Sequence, residues 1–307
     1  MPKRAYEFVQ VDVFTQSPLS GNPLAIFPDA HGLKDDEMQA LAREMNLSET
    51  TFILPRETGI EAREGKKVRI FTVETELPFA GHPTLGTALY LYASASGQKS
   101  PAEITLDLKA GKIPVRFTAN SENGGRGRVD GQVFGEMRQR DPEFLTPLSR
   151  EEVARVIGIA VDEISEEWPI QPVSTGLTFT IVPFRSRQRL SDLKFSYIQA
   201  AEFLRKTGAN LFYFLCPERR EDRLEARARM FFYGGEDPAT GSAAGCAASW
   251  MVEHGVANSD EQVVIRQGLE CGRPSEMHVR AKREGERVTN VRVGGHAVEI
   301  LRGTVVL

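Results

Sequence analysis

Residues 69–88, RIFTVETELPFAGHPTLGTA, return at 229–248 as RMFFYGGEDPATGSAAGCAA, with six identities in twenty aligned positions: Arg69/Arg229, Phe71/Phe231, Glu76/Glu236, Pro78/Pro238, Gly81/Gly241 and Ala88/Ala248. Each pair is displaced by 160. Outward from this stretch the same order continues. Residues 21–27 (GNPLAIF) answer 176–182 (GLTFTIV) at a displacement of 155, and 52–55 (FILP) answer 214–217 (FLCP) at 162, so small insertions separate the copies. The pattern predicts two similar half-molecules with a small-molecule site in the cleft between them, because crevices between domains are preferred places for pockets.

Each copy leads into an unusual helix. Residues 83–97 and 242–252 contain no charged side chain. A helix apolar on nearly every side must be enclosed, so each half is expected to wrap strands around a central helix of small residues. The surrounding pattern is α+β. Residues 6–14 read as a strand with Val9, Val11 and Val13 on one face. Residues 34–45 read as a surface helix burying Met38, Leu41, Ala42 and Met45, and strands follow at 50–54 and 68–72. The string SREE, Ser149 to Glu152, has the form of a capping box opening a helix that runs to about Gly158. The polar, Gly-rich stretch 119–132 is the expected junction between halves, and 287–307 alternates Val with polar residues as strands do.

A chain of 307 residues exceeds what one core usually supports, which agrees with two domains of roughly 150 residues. Its 41% hydrophobic and 26% charged residues and formal net charge of −4 give no support for a nucleic-acid or anionic-membrane role. The three cysteines, Cys216, Cys246 and Cys271, are odd in number and widely spaced, which points to a reducing compartment and a cytoplasmic protein. The start, MPKRAYEFVQVDVF, turns to strand-like alternation too soon for a signal peptide, and no apolar run reaches the length of a membrane span. The five histidines are scattered without ligand spacing, so no metal site is expected. The loop 234–245 lacks both the Walker lysine and the Rossmann glycine spacing, which removes a nucleotide-binding reading.

Both enclosed helices begin at a glycine step, Ala80-Gly81-His82-Pro83 and Thr240-Gly241-Ser242-Ala243. Helix starts present unpaired N–H groups and partial positive charge, so these two ends could jointly hold a substrate carboxylate. Either glycine alone could equally serve tight packing between strand and helix. Glu49 stands at the entrance to a strand, and the position displaced by 162 in the other half is Leu211, so the carboxylate exists once only. A lone Glu is ordinarily a solvated surface residue. Partial burial would make it a proton carrier near neutral pH. His82, Asp237 and Ser242 could be cap and turn residues, but their place at the two glycine steps sets them beside Glu49 as proton-handling candidates for a small organic acid.

The strings 46–52 (NLSETTF), 76–86 (ELPFAGHPTLG), 235–245 (GEDPATGSAAG) and 267–275 (QGLECGRPS) lie in order across most of the chain, and they resemble the PhzF family of phenazine-biosynthesis isomerases. The resemblance implies the diaminopimelate epimerase-like fold, two pseudo-symmetric barrel-like domains each wrapped around a central helix. It implies a catalytic acid/base at Glu49 assisted by His82, Asp237 and Ser242, with no cofactor. Asn22, Gly81, Thr240 and Gly241 are the substrate-binding candidates. It further implies a homodimer and a carboxy-terminal strand that returns to the first domain. The expected division is therefore 1–118 with 298–307, against 119–297.

Epimerases and racemases with this fold work with two facing cysteines. Here the residues before the paired glycines are Ala80 and Thr240, and Cys246 lies five residues beyond Gly241, about 7.5 Å along a helix. A single carboxylate suits an isomerisation that lifts a proton from one carbon and returns it to another on the same face. The resulting expectation is a cofactor-independent isomerase of a small unsaturated or cyclic amino- or hydroxy-acid, the named family reaction acting on trans-2,3-dihydro-3-hydroxyanthranilate. Substrate choice is expected to rest on less marked segments such as 17–22 and 174–179. An epimerase using Glu49 with a second base, and a non-catalytic metabolite-binding or interaction protein, are the alternatives.

Overall fold

The computed structural model describes residues 3–95, 101–119, 128–221, 223–233 and 235–307, so most of the stretch read as a junction lies outside the described residues. The chain forms two compact units, Met1–Met137 with Gly294–Leu307, and Arg138–Val293.

In the first unit, β1 (Ala5–Val13) pairs antiparallel with β2 (Asn22–Phe27), and β2 runs parallel to β3 (Glu49–Leu54) after the helix α1 (Asp35–Met45). A short helix α2 (Thr58–Glu64) leads to β4 (Lys66–Phe71), which pairs with β3 and with the two-residue strand β5 (Glu76–Leu77). Next comes α3 (Gly81–Ser94), then the hairpin β6 (Glu103–Leu108) and β7 (Gly111–Ala119). The strand β8 (Val133–Arg138) still pairs with β7, from Ala119↔Val133 to Val115↔Met137. Those ladder hydrogen bonds keep the chain in the first unit as far as Met137, beyond the 118/119 division expected from the polar stretch. The carboxy-terminal strand Ala297–Val306 lies antiparallel to β1 from Val13↔Ala297 to Ala5↔Val306, returning the end of the chain to this unit.

The absence of charge in α3 has its structural counterpart. Twelve of its residues are buried, and the helix packs against β1, β2, β3 and β6. Contact is close enough that a Cβ on Gly86 would lie 2.6 Å from Val13 Cγ2 and 2.8 Å from Leu24 Cδ2. The outer face of the strands is covered by α1, where Met38, Leu41 and Ala42 meet Phe27, Phe52 and Phe71.

The second unit contains β9 (Glu143–Phe144), α4 (Arg150–Ile157), β10 (Gln171–Ser174), β11 (Thr178–Pro183), α5 (Arg187–Asp192), α6 (Tyr197–Lys206), β12 (Leu211–Arg220), β13 (Arg223–Phe232), β14 (Gly235–Glu236), α7 (Gly241–Glu253), β15 (Val263–Gln267), β16 (Ser275–Glu284) and most of β17 (Arg287–Gly295). Helix α4 starts as its sequence suggests: Ser149 accepts a hydrogen bond from the Glu152 amide, and Gly158 ends it in the left-handed region at φ +77°. The enclosed helix α7 is buried over nearly its whole length and packs against β10, β11, β12 and β16.

The repeat in the sequence is a repeat of register. Parallel β2–β3 is matched by parallel β11–β12, with Leu24↔Glu49 answered by Phe179↔Leu211. Antiparallel β3–β4 is matched by β12–β13, with Phe52↔Arg69 answered by Phe214↔Arg229. The same aromatic contact sits on each: Phe52 meets Phe71 edge-on at 5.5 Å, and Phe214 meets Phe231 edge-on at 6.0 Å.

Candidate active site

In the first unit three element starts meet at one place. Glu49 is the first residue of β3, reached through Asn46, which closes α1 in the left-handed conformation at φ 51°. His82 is the second residue of α3, and Asn22 opens β2 beside Gly21, another left-handed position. Thr51, two residues beyond Glu49, fixes their relative positions: its Oγ1 lies 2.9 Å from Thr87 Oγ1 on α3 and donates to the Ala25 carbonyl on β2 at 3.4 Å. Glu49 Oε2 is 3.6 Å from His82 Nε2, and the Glu49 side chain is only 17% exposed. It is not the solvated surface carboxylate that a lone Glu usually is.

His82 is fully enclosed, and burial pushes its pKa down to about 3 against a smaller opposing effect of a hydrogen bond to the Pro23 backbone. The imidazole is therefore neutral near pH 7, and the contact with Glu49 is not an ion pair. Because Nε2 has no hydrogen-bond partner among the described residues, the bond to Pro23 is made by Nδ1, and only a donated proton suits a carbonyl acceptor. The proton thus resides on Nδ1, and Nε2 presents a lone pair toward the Glu49 carboxyl group. Such a nitrogen can accept the proton of a carboxylic acid but cannot donate one. Pro23 adjoins Asn22, so the chain that supplies one binding candidate also sets the tautomer of His82.

In the second unit Asp237 and Thr240 lie in the turn between β14 and α7, and Gly241 and Ser242 open α7. Asp237 is 8% exposed and accepts a hydrogen bond from the Thr240 hydroxyl at 2.6 Å. The turn is gripped by Gln267, which is completely buried and carries no assignment from sequence patterning. Its Nε2 donates to the Asp237 carbonyl at 2.7 Å and to Thr240 Oγ1 at 2.9 Å, while Oε1 accepts from the Tyr213 hydroxyl at 3.1 Å and faces the Thr240 amide at 3.4 Å. Burial, followed by the nearby Asp237 and Cys246, holds the Tyr213 pKa well above its ordinary value, so the phenol remains a donor. The one available signal for Gln267 was its place at the head of the string QGLECGRPS, whose next residue, Gly268, is left-handed and packs on the Pro238 backbone.

Neither enclosed helix has a side-chain cap among the described residues. Thr240, the cap residue of α7, spends its hydroxyl on Asp237. The first N–H groups of α3 and α7 are therefore not capped by the side chain of the residue that precedes each helix. Ser242 occupies the first turn of α7 and is partly exposed. Gln139 supports the same turn by donating to the Gly241 carbonyl at 2.9 Å while accepting from Thr175 at 2.7 Å.

The thiol nearest these groups in sequence, Cys246, is fully buried, and burial pushes it up to about 11. It lies 3.5 Å from Thr175 Oγ1 and 3.7 Å from the Leu177 carbonyl, a packed side chain and not a thiolate. Among the described residues no group of three or more His, Cys, Asp or Glu is placed to hold a metal ion, and no helix is long and apolar enough to cross a membrane.

Residues 11–303 match the sequence profile of the family PhzC-PhzF, described as phenazine biosynthesis-like protein. The chain is 38% identical over 307 residues to the trans-2,3-dihydro-3-hydroxyanthranilate isomerase of Pseudomonas chlororaphis, covering 98% of this chain and 100% of that protein. A Bacillus anthracis phenazine biosynthesis protein of the PhzF family superposes with a TM-score of 0.83 at 26% identity, over 98% of this chain and 99% of that one. A predicted epimerase from Pseudomonas aeruginosa superposes at 0.80 with 33% identity, over 98% and 99%. The α+β architecture, with strands wrapped around an enclosed helix in each unit, is accordingly the diaminopimelate epimerase-like fold. With a profile match across nearly the whole chain and relatives named as isomerases, the chain belongs to the phenazine biosynthesis-like family of isomerases.

Proposed function

We propose that this enzyme moves a proton between two carbons of a small unsaturated or cyclic amino- or hydroxy-acid, without a cofactor, and that Glu49 carries the proton. The observation that carries the reading is the pairing of Glu49 with a neutral His82 whose Nε2 lone pair lies 3.6 Å from Oε2. In this reading the Glu49 carboxylate removes a proton from a substrate carbon and becomes a carboxylic acid. His82 Nε2 accepts a hydrogen bond from that acid, and Glu49 then returns the proton to a second carbon. The family resemblance adds Asp237 and Ser242 as assisting residues, and Asn22, Gly81, Thr240 and Gly241 as residues that bind the substrate. A packed Cys246 and the residues Ala80 and Thr240 before the glycines argue against two-thiol racemisation.

The substrate class follows from the Pseudomonas chlororaphis relative, so trans-2,3-dihydro-3-hydroxyanthranilate is the compound to test. Proton NMR in D2O with the purified, chelator-dialysed protein should show loss of the substrate signals. Glu49→Gln should slow that loss by about 100-fold or more. Equal turnover by both proteins would remove Glu49 from the mechanism, and turnover by neither would move the substrate to a different acid. Sedimentation of the same samples tests the homodimer and the dependence of activity upon it.

A further inference from the structure

We infer that Gln267 is a positioning residue for Asp237: its side-chain amide commits the Thr240 hydroxyl proton to the Asp237 carboxylate. The inference rests on the isomerase reading for its catalytic consequence, but its geometry stands within the second unit alone.

Two groups around Gln267 have no choice of role. The Asp237 carbonyl can only accept, and the Thr240 amide can only donate. They lie against opposite ends of the Gln267 amide, Nε2 at 2.7 Å and Oε1 at 3.4 Å, and so fix which end is which. The Tyr213 hydroxyl, donating to Oε1 at 3.1 Å, agrees with that orientation. Nε2 therefore gives its second proton to Thr240 Oγ1 at 2.9 Å. A hydroxyl receiving that bond turns its own hydrogen elsewhere, and Asp237 Oδ2 lies 2.6 Å away. The chain runs Tyr213, Gln267, Thr240, Asp237, with the Gln267 amide setting the direction of the bonds on either side.

This arrangement has two effects. It holds the Asp237 carboxylate in one rotamer at the mouth of α7, and it stabilises the charged form by a short donated bond. Two of the titratable groups near Asp237 are Tyr213 on β12, which stays a phenol, and Cys271, whose thiol is pushed up mainly by burial and then by Glu236. An amide is the one neutral side chain that can serve the carbonyl, the amide N–H and the hydroxyl together, which accounts for a Gln at a completely buried position.

The test reads Asp237 directly, by carbon-13 NMR titration of aspartate-labelled full-length protein, with Asp237→Asn to assign the signal. Gln267→Met, close in shape and without donors, should move the Asp237 midpoint upward, as should Thr240→Val, which leaves Gln267 in place. Thr240→Ser keeps the hydroxyl and should restore the wild-type midpoint. Combining Gln267→Met with Thr240→Val should add little to either alone. On trans-2,3-dihydro-3-hydroxyanthranilate, kcat should fall by up to about 100-fold with a smaller change in KM. An unmoved midpoint in Gln267→Met overturns the inference. Should that variant fail to fold, an unmoved midpoint in Thr240→Val does so instead. A shifted midpoint in a protein whose wild type does not turn the compound over would uphold the role of Gln267 and count against the substrate reading only.

Discussion

The Arg229 guanidinium forks onto Glu236, with Nε 2.8 Å from Oε1 and Nη2 2.8 Å from Oε2, and lies 4.7 Å above the Phe231 ring. Arg69 does the same in the other unit, at 2.8 and 3.0 Å to Glu76 and 5.0 Å over Phe71. Three of the six identities in the repeat, two of them acidic-basic partners, thus belong to one device that joins the strand before each enclosed helix to the short strand leading into it. The third arm differs. Arg229 Nη1 donates to the carbonyls of Leu190, Ser191 and Leu193 at the end of α5, whereas Arg69 Nη1 reaches Asp35 in the first turn of α1.

Removing a buried arginine that serves a carboxylate and three carbonyls withdraws a donor from each of them. Arg229→Ala should cost about 3–5 kcal/mol in denaturant unfolding. Arg69→Ala should cost less, because Arg69 is 18% exposed and its Asp35 partner is largely in solvent. Arg229→Lys should recover only part of the loss, since an ammonium cannot form the fork or lie flat on Phe231. Equal losses at 69 and 229 would contradict the burial argument.

His82 makes stability depend on pH in a stated direction. Its folded pKa, about 3, lies below the ordinary 6.5, so the unfolded chain binds a proton that the folded one refuses. The contribution is complete above pH 6.5 and is lost as pH falls toward 3, at about 1.4 kcal/mol per pH unit. Urea midpoints measured from pH 7 to 4 should fall more steeply for wild type than for His82→Gln. Parallel profiles would show that His82 is not the group refusing the proton.

The thiols should separate cleanly. Cys216 and Cys246 are buried, and burial pushes each up to about 11, whereas Cys271 reaches the surface although partial burial raises its thiol too. A disulfide reagent at pH 8 should titrate one thiol rapidly in the native protein and three after unfolding. Cys246→Ala should keep isomerase turnover; a loss comparable to that of Glu49→Gln would revive a thiol mechanism.

Gly245 lies on α7 where Gln139 crosses it, and a Cβ there would sit 2.0 Å from Gln139 Oε1. Gly245→Ala should expel that amide from its bonds to Gly241 and Thr175 and lower stability by about 1–3 kcal/mol, although alanine favours a helix over glycine. Thermal melts of Gly245→Ala against Gln139→Ala would check it, since both should fall and the double variant should add little.

Much of this was legible in the sequence, for physical reasons that differ from residue to residue. Arg, Phe, Glu, Pro and Gly recur at fixed spacing because a forked ion pair and a helix start tolerate few replacements, so the repeat survived where the packing residues diverged. The enclosed helices showed themselves through missing charge. Glu49 was visible as the carboxylate that Leu211 does not match, and the shared register of β2–β3 and β11–β12 upholds that alignment. What was not legible depends on contacts between distant segments. The tautomer of His82 is set by the Pro23 carbonyl, and Gln267 reaches a turn about thirty residues earlier. The division between units was misplaced because ladder hydrogen bonds, invisible in composition, carry β8 with β7 past the polar stretch.

The pairing of Ala297–Val306 with β1 has a consequence for how the molecule comes into being. Residues 138–293 of the second unit are contiguous, and everything it needs is present once they have been synthesised. The first unit has its opening strand waiting for a partner close to three hundred residues away, a closure that no local contact can supply. During synthesis, when early segments ordinarily fold first, β1 must stand with one edge open until residue 306 has been made. The half that is begun first is the half that is finished last.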